Sequence, residues 1–247
     1  MNKKLIALAV AGACVAPAAM AQTANPVTLY GRVYLTLESV EAKGGAAPLA
    51  RRTRVEDQSS LFGIRGTEDL GGGLKAFFQL ETAFRPDSNV TTFAARNSGV
   101  GLQGGWGSVL MGRWDTPYKI LGYGPDLWGD LTIAGITAAL HDRGNFDRRE
   151  QNVVQYWSPS FGGFAGRISY TVNEGKTATL NPHVISVNVT YGRGPVKLGY
   201  GYEEHKDVSL ALRKERGNEV TGEFSIGPVK LAGIYETIKK DNTRQQK

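Results

Sequence analysis

Eleven charged residues carry most of the polar chemistry this 247-residue chain can do. Asp115, Asp126, Asp130, Asp142 and Asp147 fall in one long connection, residues 114–149. Arg32, Arg65, Lys75, Arg96, Arg149 and Arg167 stand at or beside strand-like segments, at the alternate positions that point inward. Opposed rows of charge across a low-dielectric gap create a transverse field that orders water and favours polar over apolar solutes. Bond-making chemistry has no comparable set of residues. The three histidines, His141, His183 and His205, sit in or beside long connections. No Gly-x-Ser-x-Gly, no His-Glu-x-x-His and no Cys/His cluster with ligand spacing occurs. The residues thus point away from an enzyme, and towards no cofactor and no metal.

The elements that must position these charges are strands. Residues 27–37 alternate strictly, with Val27, Leu29, Val33, Leu35 and Leu37 on one face and Thr28, Tyr30, Arg32, Tyr34 and Thr36 on the other. A period of two marks a strand between apolar and polar surroundings. Ten more such segments follow, at about 59–68, 74–84, 94–103, 108–113, 150–158, 163–173, 183–191, 195–204, 219–226 and 229–238. Glycine, at 32 residues, is nearly twice its usual share and marks the tight turns between them. The connections alternate long and short, an asymmetry typical of transmembrane barrels and not required by a soluble sandwich. The expected fold is all-β, a transmembrane antiparallel barrel. Tyr30, Trp106, Trp157 and Tyr170, near strand ends, are expected in its interfacial aromatic girdles.

Residues 1–21 have a basic start, a short apolar stretch and an Ala-Met-Ala end, the anatomy of a signal peptide cleaved after Ala21. Cleavage removes Cys14, the single cysteine, and lowers the formal charge from +6 to +4. That excess is too diffuse for nucleic acid. Residues 22–247 form the barrel domain, without an apolar run long enough for a transmembrane helix.

Four segments carry a family resemblance: VTLYGR from Val27, FGIRGTEDLGGGLKAFFQLE from Phe62, VGLQGGWGSVLMGR from Val100 and YWSPSFGGF from Tyr156. They resemble the general porins of Gram-negative, especially β-proteobacterial, outer membranes. The resemblance implies a 16-stranded, water-filled barrel, usually a homotrimer, that passes small hydrophilic solutes and ions across the outer membrane. It further implies that the third long connection, here 114–149, folds into the lumen and narrows it. Independently, a connection of this length inside a compact domain is usually functional. Its apolar residues Ile133, Ala134, Ile136, Ala138, Ala139 and Leu140 suggest that it packs against something.

By the same resemblance Arg96 and Arg149 match wall arginines facing the constriction, and Arg113 the arginine ending the fifth strand. A third wall arginine is replaced by Leu61, which should weaken anion preference. Eleven strands are fewer than sixteen, and the polar stretch 238–247 is unlike a closing membrane strand. A C-terminally truncated chain is therefore expected. The other readings are a barrel whose external loops act as adhesin or receptor, and a non-functional fragment.

Overall fold

The computed structural model describes residues 27–43, 49–88, 91–127, 135, 140, 145–172, 174–208 and 214–241. Its strands are β1 (Thr28–Arg32), β2 (Leu35–Ala42), β3 (Leu49–Asp57), β4 (Leu61–Gly71), β5 (Leu74–Phe84), β6 (Thr91–Thr92) and β7 (Ser98–Gly104). There follow β8 (Gly107–Asp115), β9 (Arg149–Trp157), β10 (Phe164–Val172), β11 (His183–Arg193), β12 (Val196–Lys206), β13 (Lys214–Ile226) and β14 (Val229–Asp241). A six-residue helix, α1 (Pro117–Gly122), lies between β8 and β9. One antiparallel sheet runs β1-β4-β5-β7-β8-β9-β10-β11-β12-β13-β14, with the two-residue β6 beside β5. Among the described residues β1 bonds only β4, and β14 only β13.

The eleven strands of that path correspond to the eleven expected segments, with one correction. The segment 27–38 is not a single strand: β1 ends at Arg32, and β2 leaves the sheet to pair with β3 as a separate hairpin. The region expected as a polar connection, 39–57, therefore holds most of that hairpin. Charge holds it together: Arg54 meets Glu38 at 2.8 Å and Arg51 meets Glu41 at 3.1 Å. Strands β12 to β14 also run longer than expected at their long-connection ends. There Glu204 pairs with Lys214 at 2.7 Å and Arg216 at 3.3 Å, so the ladder continues on polar side chains.

Short turns gather at one end of the sheet and long connections at the other. Gly107 shows why glycine is required in one turn: its φ is +111°, and a Cβ there would strike the Trp157 carbonyl.

The faces decide the environment. On one face Gln155, Ser186, Glu203 and Glu219 are 0% exposed. On the other, Val100 and Met111 are 56% exposed, Leu231 60% and Tyr235 71%. Polar residues buried and apolar residues bare is the reverse of a soluble core and the pattern of a sheet whose outer face meets lipid. The covered face also holds a small apolar cluster of Leu110, Trp114 and Val153, with Phe77, Ile120 and Trp157 against it.

Two of the four girdle residues lie elsewhere than expected. Tyr30 shares a face with Arg65 and Glu81 and donates its hydroxyl to Glu81 at 3.1 Å. Trp157 packs edge-on to Trp114 on the covered face, at 5.7 Å between ring centroids. Near a strand end a large aromatic fits either side of the wall, so alternation had to choose. Trp106, stacked on Tyr156 at 6.4 Å, and Tyr170, 44% exposed, stay on the bare face.

Candidate constriction site

The site is built where the long connection leaves β8. Asp115, 3% exposed, ends that strand and is paired with Arg149 at the start of β9. The Arg149 guanidinium lies 3.0 Å from its carboxylate, and Lys119 Nζ lies 3.6 Å away. Asn97 donates to Asp115 Oδ2 at 2.9 Å, and its own Oδ1 accepts from the Asp115 N–H at 3.0 Å. Tyr123 adds a hydroxyl at 3.3 Å. Lys119 donates to Asp147 at 3.1 Å, so the two limbs of the connection are tied at their root. A charge buried this deeply is tolerated only when paired and hydrogen-bonded, and Asp115 is both.

Helix α1 begins where the chain dictates it. Thr116 caps it, its hydroxyl accepting from the Lys119 N–H at 3.3 Å, and Pro117 takes a first-turn position where no N–H is needed. The helix lies on β11 to β13. The Tyr118 N–H donates to Ser186 Oγ at 2.9 Å, and Asn188 Nδ2 donates to the Pro117 carbonyl at 2.6 Å. The Tyr118 hydroxyl reaches Glu236 on β14 at 2.7 Å. Burial, then that hydrogen bond, then the negative charges of Glu236, Glu219 and Glu203 hold the phenol well above the ordinary tyrosine range.

Glycines on the wall make the seat. A Cβ on Gly201 would come within 2.9 Å of Leu121, and one on Gly217 within 2.8 Å of Phe146 and 3.0 Å of the Tyr118 hydroxyl. Gly199 faces Leu121 in the same way. Phe146, on the returning limb, stacks on His205, and Asn145 donates to Glu215 at 2.9 Å.

The residues singled out in the sequence fall into groups. Arg149, Asp115 and Asp147 join the buried cluster just described. Arg96 is next to it, paired with Glu81 at 2.6 Å. The two arginines matched to the constriction are thus neighbours through Asn97, which accepts from Arg149 Nε at 2.9 Å. Leu61 stands opposite Arg32 and Ala83 on the covered face. Arg32 donates to the Ser59 carbonyl at 3.1 Å, and Arg65 sits 5.1 Å over the Tyr30 ring. Lys75 and Arg167 line a cavity at the short-turn end. Asp126, half-buried, donates its N–H to the Gly122 carbonyl at 3.3 Å. Asp130 and Asp142 lie outside the described residues, as do Ile133, Ala134, Ile136, Ala138 and Ala139. Arg113 stands opposite Ser98 at the irregularity between β8 and β9, with its Nε buried.

Sequence reasoning missed the partners that neutralise the arginines, Glu81 and Asn97, and the seat at Gly199, Gly201 and Gly217. The Gly-x-Gly spacing inside β12 was the available signal, because an interior strand glycine often marks close approach of another segment.

The sequence matches the Gram-negative porins as a family over residues 7–247. It is 34% identical to outer membrane porin protein 32 of Delftia acidovorans, over 97% of this chain and 70% of that protein. It is 29% identical to major outer membrane protein P.IB of Neisseria gonorrhoeae, over 91% of this chain and 68% of that one. The structure resembles an anion-selective porin from Comamonas acidovorans at 30% identity and TM-score 0.74, covering 88% of this chain and 69% of that chain. A trimer form of OmpT from Vibrio cholerae shares the fold at 17% identity and TM-score 0.66, over 91% of this chain and 69% of that one. With its apolar outside, its polar inside and a long connection seated across the wall, the chain belongs to the Gram-negative porin family of outer-membrane β-barrel channels.

Proposed function

We propose that the lumen is a water-filled path for passive diffusion of small hydrophilic solutes and ions, with residues 114–149 as its constricting loop. The observation that carries this reading is the seating of the loop on the polar face, through Tyr118 on Glu236 and Phe146 on His205. A loop fixed at both limbs occupies cross-section that would otherwise be open, and pore width then sets the size limit. Arg96 and Arg149 act in this reading as halves of two dipoles, Arg96–Glu81 and Arg149–Asp115, aligned along one side of the throat. We further propose that residues 1–21 are removed on export and that the mature barrel assembles as a homotrimer, as the OmpT trimer form with the same fold does.

Reconstitution of the full chain in planar bilayers tests the reading. Ohmic single-channel steps, with partition of sugars falling as their size rises, are the expected result. A silent bilayer from well-folded protein overturns it.

A further inference from the structure

The geometry points to a subsite for small oxyanions, of the carboxylate or phosphate type, on Arg167 in the short-turn half of the lumen, below the constriction. This deepens the channel reading and rests on its wet lumen. The two arginines matched to the constriction are already answered by carboxylates, Arg96 by Glu81 at 2.6 Å and Arg149 by Asp115 at 3.0 Å. Arg167 is not. Among the described residues it has no carboxylate within ion-pair distance, and its guanidinium sits 5.1 Å over the Trp157 ring.

That ring is itself fixed. Trp157 Nε1 donates to Gln155 at 2.9 Å, and Trp114 packs against its side. A cation over an aromatic face keeps its charge while its donor edge stays free, so the fork is held ready without being spent on a partner. Arg167 lines a cavity of about 850 Å³, large enough for a hydrated carboxylate, with Ile120 and Leu121 of α1 also in its wall and with Glu223 there answered by Lys230 at 2.8 Å.

Register gives the field around it. Lys75, Gln103, Ser108, Trp157, Arg167 and Asn188 form one cross-strand row on the covered face from β5 to β11. Lys75 is four strand spacings from Arg167, roughly 19 Å along the wall. It too has no carboxylate partner among the described residues. It cannot grip the same small anion, but it raises the local anion concentration. The fork geometry of Arg167 favours planar oxyanions over spherical halides.

Fluorescence quenching of the detergent-folded full chain tests the subsite. Iodide is the anionic probe, acrylamide the neutral one, and the Trp157 component is the difference between wild type and Trp157→Phe. Arg167→Gln should weaken protection of that component by acetate about tenfold, the scale of one charge-assisted hydrogen bond, and lower iodide quenching by a smaller factor. Acrylamide quenching should stay unchanged, which also reports intact folding. Arg167→Lys should fall between, and acetate should protect against iodide better than chloride does. Equal iodide quenching in Arg167→Gln and wild type, or equal protection by acetate and chloride, overturns the subsite. Failure of acrylamide to reach Trp157 overturns the wet lumen beneath it, whereas a silent bilayer with the quenching pattern intact overturns only conduction.

Discussion

Phe146 lies nearly flat against His205, with ring centroids 4.3 Å apart and planes 19° from parallel. The contact joins the returning limb of the long connection to β12, at a point where Gly217 leaves room for the phenyl ring. Together with Tyr118 on the outgoing limb, it fixes the loop at two places on one wall.

Phe146→Ala should therefore loosen the loop without unfolding the sheet. Truncating a buried phenylalanine costs about 3–5 kcal/mol where the site cannot collapse. The loss falls on the loop, so single-channel conductance should rise and current noise increase. Gly217→Val should do the same by filling the slot from the wall side. Unchanged conductance in both variants would show that the loop does not set the bore.

Asp115→Asn should be among the most damaging single changes. It leaves Arg149 and Lys119 beside a neutral amide, and breaking a buried pair from one side typically costs about 3–5 kcal/mol. Arg149→Gln alone should also destabilise, while the double variant should lose less than the sum of the two. Urea midpoints in detergent micelles would measure that coupling.

Tyr118 gives a pH signature. Its phenol ionises later in the folded protein than in the unfolded chain, because burial and Glu236 both oppose the charge. Its stabilisation is full below the ordinary value of 10.0 and declines as pH rises above it, since the unfolded chain then releases its proton first. Tyr118→Phe should lower stability by about 1.5–3 kcal/mol at neutral pH. It should also flatten part of the alkaline decline. Melting temperatures of both proteins across that range would show the two curves converging.

Glu81→Gln frees Arg96 from its compensating charge. Reversal potentials in a salt gradient should then shift towards anions, with little change in conductance. Tyr30→Phe removes the second contact to Glu81 but no charge, so it should leave the reversal potential where it was. A shift of equal size in both variants would argue against the charge itself.

The wall was readable because side chains announce which face they serve. The path from β4 to β14 follows segments such as 74–84, where alternation is clean. The hairpin β2–β3 escaped because charges such as Glu38, Glu41, Arg51 and Arg54 mask its period. At the site, parity placed Arg32, Arg65, Lys75 and Arg167 on one face, and register agrees. What each of them touches was not readable. Glu81 and Asn97 meet Arg96 and Arg149 through strand pairings that depend on register, which local pattern does not fix. Gly201 and Gly217 matter through atoms they lack, and a missing side chain leaves no period to detect. Short α1 follows from Thr116-Pro117 only once a surface exists to receive it.

Because the loop rests on gaps in β12 and β13, its height above the wall depends on how shallow those gaps are. Alanine at Gly199 would lift the loop by one methyl group, and serine at Gly201 by slightly more. The bore could thus be tuned in small steps by wall substitutions alone, leaving every charged group in the throat unaltered.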